Sequence, residues 1–224
     1  MQLGFFGRSE LEHWRDGLAA LGTVLPARRR TPVGQLIKSL ISGRTRDPVS
    51  LAAYHRLRDR FGSARGIAIA PLPLIEATIA EVTFADSKAR WLAAALRRIG
   101  REHPDFALDF LGTVPLDDAL AWLERLPGVG RKVAAATLNA STLGRPVFIV
   151  DSHVLRVLRR LGFVGPAAEA RTASEAVTAA MPHWNGDDFL AFHIASKRLG
   201  QAACHAEAPA CAGCPLRRDC PSRD

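Results

Sequence analysis

Residues 126–132 read Leu-Pro-Gly-Val-Gly-Arg-Lys, a pattern typical of a turn between two helices. Its proline and first glycine end a helix predicted over residues 116–126, where apolar residues recur at helical spacing after Pro115. Gly130 is expected to let the backbone turn tightly, and the next helix is predicted over residues 131–143. The sequence therefore predicts a helical hairpin around a glycine turn.

Such a hairpin can bind an anion. Glycines leave backbone N–H groups uncovered, and the start of the second helix adds the positive end of its dipole. The anion that this arrangement favours is a DNA phosphate, although a Pro-Gly pair between two helices is also compatible with a plain turn. The residues predicted to contact DNA here are Gly128, Val129, Gly130 and Arg131.

The charge balance favours a polyanionic partner. The chain has 224 residues with 30 Lys+Arg against 22 Asp+Glu, a net charge of +8 and an isoelectric point near 10.1. Because 26 of the 30 cations are arginine, a solvated basic surface is the alternative. No apolar run is long enough for a membrane span, and the N-terminus lacks the pattern of a secretory signal. A monomeric cytoplasmic protein is expected, associated with the nucleoid if it is bacterial.

All four cysteines lie near the C-terminus at C-x6-C-x2-C-x5-C spacing: Cys204, Cys211, Cys214 and Cys220. In a cytoplasmic protein thiols stay reduced, which argues for one metal site and against two disulfides. Zinc and an iron–sulfur cluster are both compatible with four thiolates. The single Cys-x-x-Cys pair, flanked by wider gaps, favours iron.

The remaining pattern is helical and predicts an all-α protein. Thr31 and Asp47 each precede a proline and are predicted N-caps, and Gly100 is expected to end a helix. Residues 147–150 are apolar and β-prone, but without a partner strand they are interpreted as a buried extended linker. Further helices are predicted over residues 9–21, 33–42, 49–61, 86–99, 151–161, 167–181 and 187–199, with shorter ones between 63 and 80.

Lys132 is one of only four lysines in the chain. In the first turn of a helix the dipole disfavours its ammonium form, and partial burial acts in the same direction. A deprotonated lysine can attack an electrophilic carbon and form a Schiff base, which arginine cannot. The alternative is a surface lysine that reaches a phosphate.

Asp151 stands between the apolar linker and a helix, and its expected role is an N-cap that accepts from the backbone of His153 or Val154. A carboxylate fixed there could also stabilise a developing cation. The spacing is compatible with a cap alone and with both roles. Ser152 and His153 are predicted to contact DNA, with a hydrogen bond inside the fold as the alternative for His153.

Three motifs in this order resemble the endonuclease III branch of helix-hairpin-helix DNA glycosylases: the stretch at 126–132, Val-Asp-Ser-His at 150–153, and the cysteine spacing. Weaker similarity at residues 40–42 and 87–89 extends the resemblance over most of the chain from about Thr31 onward.

The resemblance implies a two-domain, all-α architecture. Residues 31–143 would form a helical barrel domain with the hairpin, and residues 1–30 plus 144–224 a second domain with a C-terminal [4Fe–4S] cluster loop. It also implies a bifunctional DNA glycosylase/AP lyase that removes oxidised pyrimidines from duplex DNA. Lys132 would attack C1′ of the extruded nucleotide and cleave the strand by β-elimination, with Asp151 assisting; abasic sites would be substrates as well.

Two positions depart from the family pattern. Arg44 stands where the family commonly has glutamine, and Phe84 stands where it has an aliphatic wedge; both are predicted to fill the gap left by an extruded base. Core packing is the alternative for Phe84. The loop at residues 205–210 is less basic than usual, so contacts to the DNA backbone are expected from Lys197, Arg198, Arg217 and Arg218. These departures affect the expected range of lesions.

Two other functions remain open. A monofunctional mismatch glycosylase would share the hairpin, aspartate and cluster, but Lys132 argues against it. A weakly active or inactive hairpin protein that only grips DNA would not need Asp151 or a complete cysteine set.

Overall fold

The computed structural model describes residues 8–223, and the part described is all helical, as predicted. Residues 147–150 are buried and extended without entering a strand. Short 3₁₀ helices cover Asp109–Gly112 and Cys211–Gly213. The α-helices are α1 (Arg8–Ala19), α2 (Pro32–Ser42), α3 (Asp47–Phe61), α4 (Ala64–Ile69), α5 (Leu72–Thr78), α6 (Ala85–Glu102), α7 (Leu116–Glu124), α8 (Arg131–Asn139), α9 (Ser152–Arg160), α10 (Ala170–Ala180) and α11 (Gly186–Ala202).

The chain divides into two compact units. Arg29–Leu143 forms the first unit, which contains α2 to α8. The described residues of Met1–Arg28 and Gly144–Asp224 form the second, which contains α1, α9 to α11 and the cysteines. An isolated parallel bridge pairs Arg30 with Ser141, and Thr142 N donates to Arg30 O over 2.9 Å. The two ends of the first unit therefore lie next to each other and are joined by backbone hydrogen bonding.

In the first unit, α2 packs against α3, α6 and α8. Thr31 caps α2 as predicted, since its side chain accepts from Gly34 N at 3.3 Å, and Pro32 is the first helical residue. Asp47 is not the N-cap of α3. The bond from Ser50 N to Arg46 O, 3.0 Å long, starts that helix one residue earlier, so Arg46 is the cap and Asp47 lies in the first turn.

Two predicted helix ends are wrong for tertiary reasons. Gly100 does not end α6, which continues to Glu102. A Cβ at Gly100 would lie 2.7 Å from Cζ of Phe106, so this glycine makes room for an aromatic ring. The helix predicted to reach residue 143 stops at Asn139, because Ser141 enters the bridge to Arg30.

Apolar side chains of α1 and of α9 to α11 form the core of the second unit, with Phe148 of the extended linker among them. Phe148 packs against Phe189 and Phe192 at ring distances of 6.3 and 5.3 Å. The cysteine segment joins this core through Leu216, which is 1% exposed. A Cβ on Gly17 of α1 would lie 2.9 Å from Cδ2 of Leu216, so the glycine provides the space that this leucine fills.

The predicted ends of the helices in this unit shift by one to three residues. For example, α11 begins at Gly186 because Asn185 forms a capping box with Asp188. None of the helices described is both long and apolar enough to cross a bilayer.

Candidate functional site

The glycine turn lies between α7 and α8, and its two glycines have different roles. Gly128 has a φ of 75°, and a Cβ there would lie 2.6 Å from Cβ of Trp91. Both the left-handed backbone and the close approach of Trp91 require glycine. Gly130, the N-cap of α8, is extended at φ −98° and ψ 180°, and a Cβ on it would meet open space. The prediction that Gly130 makes the tight turn is therefore wrong; Gly128 makes it.

Lys132 lies in the first turn of α8 and is half-buried. Its Nζ donates to Oγ of Ser42, 2.8 Å away at the end of α2, and that hydroxyl donates to the carbonyl of Ser39 over 2.8 Å. Gln35 Nε2 donates to Oγ of Ser39 over 2.9 Å. The amine is thus held by a series of buried polar groups on α2, a helix 90 residues away along the chain.

Arg131, the neighbour of Lys132, forms an ion pair within the hairpin. Its Nε lies 2.8 Å from Oε1 of Glu124, and the two side chains are 10% and 14% exposed. The pair joins the end of α7 to the start of α8. The structure therefore gives this predicted DNA-binding residue a contact that braces the hairpin.

Lys88 of α6 is a buried lysine, 4% exposed. Its Nζ donates to three oxygens at the end of α2: the carbonyls of Ile41, at 3.0 Å, and Gly43, and Oγ1 of Thr45, at 3.1 Å. Burial lowers the pKa of Lys88 from 10.5 to about 8. The side chain fixes the loop after α2.

Arg44 lies in this loop, and Phe84 is the residue directly before α6. Both are exposed, Phe84 to 54%, which places the phenylalanine outside the core. The guanidinium carbon of Arg44 lies 5.9 Å from the centre of the Phe84 ring, within cation–π range. The two residues predicted to probe the DNA helix are in contact.

Asp151 caps α9 as predicted: its Oδ1 accepts from the backbone N–H groups of His153 and Val154, each at 2.9 Å. Burial raises the pKa of Asp151, but the nearby His193, the Val154 hydrogen bond, Lys197 and His153 outweigh burial, so the pKa lies below its ordinary value of 3.8. The carboxylate is therefore ionised at neutral pH.

His193 lies on α11, and its ring Nδ1 is 2.9 Å from the carbonyl of Ile149. Since a carbonyl only accepts, Nδ1 carries the proton in this contact. The bond fixes the imidazole whose charge acts on Asp151.

Ser152 and His153 follow the cap. Ser152 is exposed as the first residue of α9, and His153 is half-buried. The ring Nδ1 of His153 lies 3.2 Å from Nη2 of Arg156, which donates to Gly200 O over 2.7 Å. Nε of Arg156 donates to the carbonyl of Cys204 over 2.8 Å. His153 is therefore connected through one arginine to the beginning of the cysteine segment.

All four cysteines are half-buried free thiols, and all four line one cavity of about 30 Å³ that is partly open to solvent. Burial raises the pKa of Cys214 and Cys220, and the neighbouring sulfurs raise it further. Nη1 of Arg160 donates to Sγ of Cys204 over 3.3 Å. Among residues 8–223, no three His, Cys, Asp or Glu side chains are placed so that they could hold a metal ion. The donor set that lines the cavity is four cysteine sulfurs, which zinc and an iron–sulfur cluster both use as ligands.

The four residues predicted to contact the DNA backbone have different surroundings. Lys197 is half-buried and acts on Asp151, whereas Arg198 donates to the carbonyls of Leu21, at 3.2 Å, and Gly22. Arg217 and Arg218 are exposed beside the cysteines.

Sequence reasoning gave no role to Ser42, Lys88 or His193. Ser42 and Lys88 lie in the two weaker similarity segments, at residues 40–42 and 87–89, and that similarity was the available signal. His193 had none, because its contact with Ile149 is tertiary. Lys132 belongs to the first unit and Asp151 to the second.

A model of the HhH-GPD superfamily of base excision DNA repair proteins matches residues 37–183. The chain is 30% identical over 203 residues to the chloroplastic endonuclease III homolog 1 of Arabidopsis thaliana, covering 88% of this chain and about half of that protein. It is 30% identical over 194 residues to endonuclease III of Synechocystis, covering 86% of this chain and 82% of that one.

Among solved structures, a trapped covalent endonuclease III–DNA intermediate matches with a TM-score of 0.78 at 24% identity, over 97% of both chains. A thermostable thymine-DNA glycosylase matches with a TM-score of 0.75 at 19% identity, over 96% of this chain and 95% of that one. At these identities the structures show the shared fold. The family match and the Synechocystis relative together show that the chain belongs to the endonuclease III family of base excision repair DNA glycosylases.

Proposed function

We propose that this protein is a bifunctional DNA glycosylase/AP lyase that excises oxidised pyrimidines from duplex DNA. The observation that carries the proposal is the placement of Lys132. Its amine stands at the start of α8, directly after the glycine turn, and is held at 2.8 Å by the Ser42 hydroxyl. A hairpin that binds a phosphate beside an oriented amine suits chemistry on deoxyribose.

In the proposed reaction, neutral Nζ of Lys132 attacks C1′ of an extruded nucleotide. The electrons of the N-glycosidic bond leave with the base, which takes up a proton. Opening of the sugar ring gives an iminium, which acidifies C2′. Loss of a C2′ proton expels the 3′ phosphate and nicks the strand, and water then hydrolyses the imine and frees the lysine.

Asp151 has the properties of the electrostatic partner in this scheme. Positive charge grows on the sugar as the glycosidic bond breaks, and an ionised, fixed carboxylate stabilises such charge. Two backbone hydrogen bonds fix Asp151, and its lowered pKa keeps it anionic. Extrusion of the base is required because the anomeric carbon is inaccessible within the stack.

The open space at Gly130 and the net charge of +8 support duplex DNA as the partner. The proposed lesions are oxidised pyrimidines and abasic sites, and the proposed active form is a monomer. Because its substrate is chromosomal DNA, the proposed location is the cytoplasm, in association with the nucleoid if the protein is bacterial.

The four cysteines are proposed to hold a [4Fe–4S] cluster. Four thiolates around one cavity would supply its ligands. The hydrogen bond from Arg160 to Sγ of Cys204 would stabilise the negative charge of a thiolate ligand. When bound, the cluster supplies a rigid crosslink between the cysteine segment and the core of the second unit. With all four thiolates used as its ligands, the cluster would order the segment without taking part in base excision.

Borohydride trapping on an abasic duplex tests the nucleophile. The native chain is expected to form a covalent adduct, and Lys132→Gln is expected to form none while still binding the duplex. Lys38→Gln is the matched control, since it removes another half-buried lysine of the same unit and should trap like the native chain.

Two results would overturn the proposal. A Lys132→Gln protein that traps and nicks at the native rate would remove Lys132 from the mechanism. A native chain that excises damaged bases but never traps would favour a monofunctional glycosylase.

A further inference from the structure

A cavity of about 150 Å³ lies within the first unit, where the start of α2 meets the end of α3 and the turn into α4. Its polar lining groups are the side chains of Thr31, Tyr54, Arg58 and Ser63. Among the described residues that line it, none is aspartate or glutamate. The only formal charge on its walls is therefore the positive charge of Arg58.

Tyr54 of α3 contributes a buried hydroxyl to this cavity. The residue is 6% exposed, and its ring centre lies 5.0 Å from the guanidinium carbon of Arg30 and 6.0 Å from that of Arg58. Within residues 8–223, its Oη forms no hydrogen bond. Native proteins pair almost all buried polar groups, because an unpaired one is costly. The Tyr54 hydroxyl is therefore available to a ligand in the cavity.

Gly34, in the first turn of α2, leaves this hydroxyl uncovered. A Cβ on Gly34 would lie 3.0 Å from Oη of Tyr54 and 3.1 Å from Oγ1 of Thr31. Glycine is less favourable than alanine within a helix, so space for the two hydroxyl groups is the physical reason for a glycine here. All three residues line the cavity.

The other polar groups of the cavity can also donate hydrogen bonds. Oγ1 of Thr31 accepts from Gly34 N at 3.3 Å, and Oγ of Ser63 accepts from Gly66 N at 3.1 Å. Each hydroxyl therefore keeps its own hydrogen for a further bond. The guanidinium of Arg58 is exposed and forms no hydrogen bond or ion pair within the described part of the chain. These donors, together with the positive end of α2, favour an anion.

The arrangement of the donors and the apolar lining indicate the kind of anion. The donors come from three separate segments, which suits the three terminal oxygens of a phosphate better than the two oxygens of a planar carboxylate. Buried side chains of Ile37, Leu57 and Ile67 line the rest of the cavity and would contact an organic group. Water takes about 30 Å³ per molecule in the liquid, so the cavity has room for a small anion.

We propose that this cavity binds a small phosphate monoester, at a site separate from the one that contains Lys132. The phosphate would accept hydrogen bonds from Thr31, Tyr54 and Arg58. Helix α2 has 11 residues and is thus about 16 Å long. It begins at the cavity and ends at Ser42, the residue that accepts from Lys132. The inference goes beyond the proposed function and does not depend on it.

Isothermal titration calorimetry of the whole chain with phenyl phosphate, in a buffer free of phosphate, tests the proposal. One saturable site is expected. Inorganic phosphate should bind about tenfold more weakly, because it leaves the apolar lining uncovered, and phenol should not bind. Tyr54→Phe should weaken phenyl phosphate binding about tenfold, and Arg58→Ala at least as much, since each removes a hydrogen bond to a charged group.

Two controls separate ligand binding from folding and from general charge. Tyr54→Phe removes an oxygen that has no partner within the described fold, so the free energy of unfolding should not decrease. Arg60→Ala removes another exposed cation of α3, whose Nη1 donates to Oγ1 of Thr78 over 3.4 Å and which lines a different cavity. Its affinity for phenyl phosphate should equal that of the native chain.

The proposal would be overturned by a native chain that shows no saturable binding, or by a Tyr54→Phe chain that binds as tightly as the native one. Inorganic phosphate that binds as tightly as phenyl phosphate would refute the organic ligand. Duplex DNA that displaces phenyl phosphate would instead assign the cavity to the DNA interface. Failure of the proposed function is a separate result, since it would appear as absent excision and absent trapping.

Discussion

Replacing Asp151 with asparagine separates the helix cap seen in the structure from the electrostatic role proposed for the carboxylate. Asparagine is as good an N-cap as aspartate, and its side-chain oxygen can keep both 2.9 Å bonds to the backbone of α9. Asp151→Ala removes both bonds as well as the charge. The two variants therefore share the loss of charge and differ in the cap.

The structure sets the expected magnitudes. Loss of the cap in Asp151→Ala is expected to lower the free energy of unfolding by about 1–2 kcal/mol. Asp151→Asn loses only the attraction to His193 and Lys197 and the dipole of α9, which is worth about 1 kcal/mol or less. If the carboxylate stabilises the developing cation, both variants should lose base excision by roughly 10²- to 10³-fold, as is typical of one electrostatic group.

Single-turnover excision of an oxidised pyrimidine, measured beside urea unfolding, provides the assay. Nicking of a preformed abasic site should fall less, because the glycosidic bond is already broken. An Asp151→Asn protein that excises at the native rate would refute the electrostatic role and leave a cap alone. A large loss in Asp151→Ala with none in Asp151→Asn would assign the effect to stability.

The pH dependence of stability gives a second check on Asp151. Its pKa in the folded chain lies below the ordinary 3.8, so the carboxylate stabilises the fold above that pH. This contribution is lost as the pH falls through the folded-state pKa. The difference in unfolding free energy between the native chain and Asp151→Asn should therefore shrink below pH 3.8.

Gly128→Ala should lower the free energy of unfolding by about 2 kcal/mol or more, because it combines a φ of 75° with a Cβ 2.6 Å from Trp91. Gly130→Ala should change it by less than about 1 kcal/mol yet weaken DNA binding, since its methyl group occupies the open space at the turn; unchanged affinity would contradict phosphate binding there. Leu216→Ala should cost about 2–5 kcal/mol and reduce the iron and sulfide bound per chain, measured with the visible absorption, whereas Val24→Ala, at a position 74% exposed, should change neither. Zinc in place of iron and sulfide would refute the cluster.

The sequence predicts best what depends on neighbouring residues. The cap at Asp151 and the entry of α2 through Thr31 and Pro32 are confirmed, because a cap is a contact between residues two or three apart. The all-α class is confirmed for the same reason, since helical periodicity is local. The extent of α6 could not be predicted, because the role of Gly100 depends on the ring of Phe106.

The candidate site divides in the same way. The motif around Lys132 identifies the amine, but its acceptor, Ser42, comes from a helix 90 residues earlier. Arg44 and Phe84 could be proposed singly from the sequence, while their mutual contact joins residues that are far apart in the chain. Side-chain contacts between distant segments leave no periodic signal, so only the structure identifies them.

The bridge between Arg30 and Ser141 has a consequence for how the chain acquires its shape during synthesis. Everything needed for the inner unit leaves the ribosome as one continuous piece, so it can fold while translation continues. The helix α1 cannot pack during this stage. Its apolar residues Leu11, Trp14 and Leu18 stay exposed until more than a hundred further residues have been synthesised, because their partners lie in that later part of the chain. The nascent chain thus exposes the apolar residues of α1 for much of its synthesis, and chaperones that bind exposed apolar segments would bind it at this stage.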